Sequence, residues 1–241
     1  MTTVRVYDLP TRIFHWSFAA LFVTAYAIAN LVDDDSARFA WHMLAGLMLV
    51  ATVVFRLVWG LAGTRHARFS DFSLRPSELA NYLRGVIGGG GRRWAGHNPA
   101  SSWAALSMMA IALAMGASGL SMALGVAPEW VEEAHEVLAN ALLAIALLHV
   151  AGLAIHVLRY RDGLPASIVS GHKRDLPDGT PAVAPRGAAA LLLLLVLAGT
   201  GGLLLRGYSQ ADATLQLFGT RLQLGENHHA SRNASESGHD D

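Results

Sequence analysis

A run of 25 residues, Ala134–Leu158 (AHEVLANALLAIALLHVAGLAIHVL), is long and apolar enough to cross a bilayer, yet carries histidines at positions 135, 149 and 156. At roughly 100° per residue, the 14 steps from His135 to His149 return to within about 40° of one helix face, and His156 falls within about 20° of His149. The rise of 1.5 Å per residue separates His135 from His149 by about 21 Å along the axis. In a hydrocarbon core about 30 Å thick, one helix thus presents imidazoles near both surfaces. Polar groups inside such a span are costly to bury and mark functional positions. The expectation is a helix serving two stacked metal-cofactor sites.

The rest of the chain fits a membrane setting. Of 241 residues, 53% are hydrophobic and only 15% charged, against about 25% charged in a soluble domain. Mean hydropathy is +0.36. Five apolar runs reach spanning length: Ile13–Val32, Phe39–Gly63, Trp103–Ala127, Ala134–Leu158 and Gly187–Leu205. The first is read as a span and not a leader, because its run is too long and no cleavage-like site follows. There is no cysteine, which excludes disulfides, thiolate ligands, iron–sulfur clusters and CxxCH haem attachment.

The loops alternate in charge. Arg65, Arg68, Arg75, Arg84, Arg92 and Arg93 crowd the 64–102 connection, and Arg159, Arg161, Lys173, Arg174 and Arg186 follow the fourth run. Acidic links hold Asp33, Asp34 and Asp35, then Glu129, Glu132 and Glu133. Basic loops stay in the cytoplasm. The expected topology is therefore a cytoplasmic N-terminus, five spans and a C-terminus outside.

Depth then sorts the histidines. His42 and His135 start their spans near the outer surface; His15 and His149 lie toward the inner one. Two imidazole pairs at two heights suit two non-covalent bis-histidine haems, which would cross-link the bundle. His156 shares the face of His149 and is either an alternative ligand or a residue at the inner mouth. Gly46 and Gly152, near His42 and His149, would let a flat ring approach the backbone. Gly116 and Gly119 serve either helix packing or ring clearance. Arg56, on the face of His42, either meets an inner haem propionate or snorkels to the surface. Trp16, Trp41, Trp59, Trp103 and Trp130 form an interfacial belt.

The stretches DLPTRIFHW, WHMLAGLMLV with RLVWGLAGTRHARF, GHNP at 96–99, HEVLANALLAIALLHVAGLAIH and SGHKR at 170–174 together resemble the bacterial cytochrome b561 superfamily. Within it, the chain resembles in particular the b-type cytochrome subunit of nickel–iron hydrogenases. The resemblance implies an all-α, four-helix diheme core over residues 1–175, here followed by a linker and fifth transmembrane helix (176–206) and a periplasmic tail expected to lack structure (207–241). Carried over by position, the family's axial ligands fall on His15, His42, His135 and His149. The outer haem pairs His42 with His135, and the inner pairs His15 with His149.

The resemblance also implies electron transfer between a quinone pool and a periplasmic redox protein, either a hydrogenase or a c-type cytochrome. His97, Asn98, Arg93 and His156 are the candidate quinone contacts; the alternative for the loop residues is an ordinary solvated position. Bis-histidine iron has no open position, so the chain reads as the electron-carrier subunit of a quinone-linked membrane oxidoreductase with no catalytic side chain of its own. A nucleic-acid partner is not expected. The competing class is a transporter moving protons or a divalent metal through intramembrane histidines; the interior of the spans lacks the acidic residues that such transport usually uses, Glu136 standing at the start of the fourth.

Overall fold

The computed structural model describes residues 3–34, 36–88, 94–160, 164–174, 176 and 179–224. Among the described residues five helices are long and apolar enough to cross a membrane: α1 (Leu9–Leu31), α2 (Ala40–Ala62), α4 (Pro99–Ala123), α5 (Trp130–Tyr160) and α7 (Gly187–Gly207). Between α2 and α4 come two 3-10 turns, Arg65–Ala67 and Phe69–Asp71, and the helix α3 (Pro76–Gly88). A short helix α6 (Leu164–Ser170) follows α5. The chain is an all-helical, multi-pass membrane bundle with small strands at its two ends.

Helix starts follow from capping. Asp8 precedes α1 and its Oδ1 accepts from Thr11 N at 2.9 Å, with Pro10 in the first turn. Asn98 does the same for α4: Oδ1 accepts from Ser101 N at 2.8 Å, with Pro99 at the first helical position. Proline there lacks only a donor that would go unbonded anyway. The GHNP stretch is therefore a helix start, and α4 begins four residues before the apolar run at Trp103. α5 likewise begins at Trp130, four residues ahead of Ala134.

α1 packs on α2, α2 on α4, and α4 on α5, while α7 leans on α1 and α2. Lipid offers no hydrophobic drive for helix association, so close van der Waals fit must hold the bundle. Its middle is a cluster of Phe22, Leu49, Val53, Met109, Ala112 and Leu142, drawn from four helices. At Gly116 a side chain would sit 2.3 Å from Val50 Cγ2, so this glycine sets the α2–α4 approach. Elsewhere α5 turns Val137, Leu147, Leu148, Val150 and Ile155 outward.

At the N-terminal end, β1 (Thr3–Arg5) pairs antiparallel with β2 (His172–Arg174). Gly171, with φ +84°, sends its carbonyl to the amides of Val6 and Tyr7. Lys173 Nζ donates to the carbonyls of Trp94, Ala95 and Gly96 at 3.1, 2.9 and 3.2 Å. The SGHKR stretch thus clasps the chain's start to the loop before α4.

At the opposite end the expectation of a structureless tail from residue 207 needs correction. β3 (Tyr208–Ser209), β4 (Thr214–Leu217) and β5 (Thr220–Gln223) form an antiparallel sheet. Leu215, Leu222 and Leu224 bury against Ala40, Leu44, Ala123 and Leu204 at the ends of α2, α4 and α7. Residues 225–241, with His228, His229 and His239, lie outside the described residues.

Candidate functional site

His42 sits in the first turn of α2 and His135 in the second turn of α5. Their ring centroids are 6.1 Å apart, edge-on at 70°. Nδ1 of His42 lies 2.9 Å from the carbonyl oxygen of Ala25 in α1. A carbonyl can only accept, so His42 carries its proton on Nδ1. Nδ1 of His135 lies 2.8 Å from Ser118 Oγ in α4. The Ser118 hydroxyl spends its proton on Met115 O at 3.0 Å, so its oxygen receives Nδ1–H from His135. Both rings are thereby fixed with an Nε2 lone pair free, the arrangement that orients metal-ligating histidines.

The spacing would suit one metal held between the two rings: at metal–imidazole bonds of about 2 Å, two histidines sharing it would place their ring centroids roughly 6 Å apart. Among the described residues no group of three or more His, Asp or Glu side chains could hold a bare ion. Two protein donors suffice for a haem, whose porphyrin supplies the rest. Space for a ring is present at Gly46, where an added Cβ would meet nothing within 4 Å. At Gly119 a Cβ would approach His135 Cε1 to 3.5 Å. The two glycines of α4 therefore split: Gly116 packs a helix, while Gly119 faces the histidine. Gly152 is exposed and meets nothing.

Toward the other end, His15 of α1 and His149 of α5 are half-buried and within electrostatic reach of each other. His15 stacks on Trp16, with centroids 5.3 Å apart. Leu142, fully buried, stands on α5 midway between His135 and His149. His156 is half-buried two turns beyond His149. α1 is held in place by Asp8: its Oδ2 accepts from Trp59 Nε1 at 3.1 Å and Thr64 Oγ1 at 2.6 Å. Trp59 is thus an anchor to α1 and not a belt residue, whereas Trp16, Trp41, Trp103 and Trp130 are exposed as a belt requires. Near the far end, Tyr26 of α1 donates to Asn140 Oδ1 of α5 at 3.0 Å.

Arg56 does not snorkel. It is 3% exposed, with its guanidinium 5.7, 5.0 and 5.8 Å from the rings of Phe14, Phe69 and Phe72. Gly60, one turn on, admits the Phe69 ring; a Cβ there would be 2.1 Å from it. Nη1 of Arg56 is buried without a hydrogen-bond partner, as is Nδ1 of His97. His97 packs against Tyr7 and Phe72, with centroids 5.8 and 4.7 Å away. Burial, then the charges of Arg56 and Lys173, push its imidazole down to about 3, so it is neutral near pH 7. Asn98 is occupied as the α4 cap, and Arg93 lies outside the described residues.

One pair escaped the sequence reading altogether. His66 Nδ1 lies 2.8 Å from Asp71 Oδ2, across the two 3-10 turns. Arg65 and Arg68 drew attention to this loop as charge, but only turn geometry brings a histidine to an aspartate five residues on.

A family model described as prokaryotic cytochrome b561 matches residues 6–171, which contain His15, His42, His135 and His149. No curated protein and no solved structure matches the chain.

Proposed function

Because the chain belongs to the prokaryotic cytochrome b561 family, membrane proteins that bind b-type haem and transfer electrons, we propose that it is a diheme relay between quinone at one end and a redox protein at the other. The observation that carries the reading is the His42–His135 pair: centroids 6.1 Å apart, both Nδ1 atoms engaged, both Nε2 atoms free. These two residues would hold one haem, and His15 with His149 the second, nearer the N-terminal end. Each haem, when bound, supplies reversible one-electron storage.

The protein's own residues do the rest. Ala25 O and Ser118 Oγ fix the tautomers and ring planes of His42 and His135. Leu142 keeps the two levels apart and dry, which strengthens every local charge interaction. Arg56, desolvated among aromatic rings with Nη1 free, suits an inner haem propionate or a quinone oxygen. His97 lies beside it and serves as a neutral polar contact. By the excess of arginine in its loops the Arg56 end is cytoplasmic and the β3–β5 end periplasmic. An electron crossing fully against the membrane potential would then cost about 2.3 kcal/mol per 100 mV.

The periplasmic partner would meet exposed Asp33, Asp34, Glu129, Glu132 and Glu133, a surface complementary to a lysine-rich c-type cytochrome; a hydrogenase small subunit is the other partner of matching chemistry. The test is a reduced-minus-oxidised spectrum with haem extraction on the purified protein. Two b haems per chain are expected. A colourless, folded preparation would refute the reading and favour proton or metal transport.

A further inference from the structure

Below the His15–His149 level, the arginine-rich end encloses a second set of polar atoms with unmet bonding capacity. His66 is 5% exposed, its Nδ1 faces Asp71 Oδ2 at 2.8 Å, and its Nε2 is buried with no hydrogen-bond partner. Arg56 Nη1 and His97 Nδ1 share that condition. Phe72, next to Asp71 in the chain, packs its ring 4.7 Å from that of His97 and 5.8 Å from the Arg56 guanidinium, so these groups occupy one neighbourhood. The backbone at Gly96 closes over the pair: a Cβ there would lie 2.7 Å from Asp71 Oδ2 and 2.8 Å from His66 Nδ1. Tyr7 hydroxyl reaches Gly96 O at 3.5 Å, and burial together with Asp71 raises its proton affinity above that of an ordinary phenol.

Three buried orphan atoms ask for a ligand, and their chemistry narrows which. A guanidinium alone would suit a carboxylate. His66 would not: with Nδ1–H pointed at Asp71, its Nε2 offers a lone pair, which repels a carboxylate and welcomes an O–H. A carboxylate holding an imidazole in the tautomer that can take a proton from a hydroxyl is the base–orienter arrangement of acid–base catalysis. A hydroquinone carries such a hydroxyl, plus a ring oxygen for Arg56 Nη1 and an apolar ring for Phe14, Phe69 and Phe72.

We propose that His66, oriented by Asp71, is the proton-exchanging base of the quinone site, with Arg56 and His97 binding the headgroup. The proposal rests on the quinone-linked reading above. Oxidation of one hydroquinone releases two electrons and two protons. The electrons leave singly to the relay; each proton passes from ring oxygen to Nε2 of His66 and then to the aqueous side before the next. Quinone reduction runs the same transfers backwards. Asp71 is a positioning residue that acts through His66.

The test uses the full-length, haem-loaded protein with menadiol as reductant and dithionite as the control, since dithionite delivers electrons without needing a base. His66→Ala should slow menadiol-driven haem reduction about a hundredfold, leave dithionite reduction and haem content unchanged, and recover in part with added imidazole. Asp71→Asn should lower the maximal menadiol rate without raising the concentration for half-maximal rate. Menadiol rates within twofold of the parent in both variants would overturn the proposal. So would an altered potential or content of the inner haem at an unchanged menadiol rate, which would hand the cluster to a haem propionate. Parent protein without b-type bands would instead remove the diheme reading itself, a failure visible before any variant is made.

Discussion

Ser118 Oγ accepts the Nδ1 proton of His135 across the α4–α5 interface at 2.8 Å. The serine reaches that position because its own proton is directed back to Met115 O. Partners of this kind are worth about 10–100-fold in metal affinity. Ser118→Ala should therefore weaken one haem by about tenfold and leave the other in place. Haem-to-protein stoichiometry after dilution in detergent, read with the difference spectrum, checks it.

His42→Ala and His135→Ala should each delete the same spectral component, and His15→Ala and His149→Ala the other. Each variant is expected to keep about half the haem. The pairing is refuted by a His42→Ala spectrum that lacks a different component from that of His135→Ala.

Asp8 accepts three hydrogen bonds while wholly buried, one from the cap of α1 and two from Trp59 and Thr64. Asp8→Ala loses the cap and strands two buried donors, at a cost of about 2–4 kcal/mol. A lowered midpoint of thermal unfolding in detergent, with His15 the first ligand to loosen, is the expected result.

Tyr26→Phe removes one inter-helix bond, to Asn140. Such bonds average about 0.6 kcal/mol in membranes. The variant should unfold within a few degrees of the parent and keep both haems; a large loss would mean that Tyr26 holds more than the helix pair.

His97 titrates at about 3 in the folded protein, chiefly through burial, and at about 6.5 once unfolded. Between these values the unfolded chain binds a proton that the folded chain refuses. The stability His97 permits is thus fully present above about pH 6.5 and declines as pH falls toward 3, by on the order of a few kcal/mol. Unfolding midpoints measured from pH 7.5 to 4.5 should fall less steeply in His97→Gln than in the parent.

How much of this was legible in sequence depends on how far a residue's place is fixed by a rigid repeat. The helix rotation per residue is constant, so His135 and His149 announce their common face, and loop charges order the spans. Arg56 could not be resolved that way: whether it surfaces or stays inside depends on Phe69, thirteen residues later and beyond a turn, folding back over Gly60. The His66–Asp71 contact likewise hangs on two consecutive 3-10 turns.

The β4–β5 hairpin is a different case, since its signal was present. TLQL and RLQL alternate apolar and polar residues on either side of Phe218-Gly219, both with positive φ (50° and 83°), a backbone suited to a two-residue turn. Read together with the polar residues after Leu224, the alternation was lost among them.

The wholly buried Leu142 has a consequence for evolution and for engineering. Because it sits halfway along a single unbroken helix bearing both His135 and His149, the span between the two proposed redox stations would be a property of one rod, about 21 Å from Cα to Cα. Loops could lengthen, the β3–β5 sheet could be exchanged and the proposed docking surface could be redrawn, while the proposed electron hop would stay the same length. Only an insertion or deletion within α5 would change it, and by turning His149 about 100° per residue away from α1 it would break the second station at the same stroke.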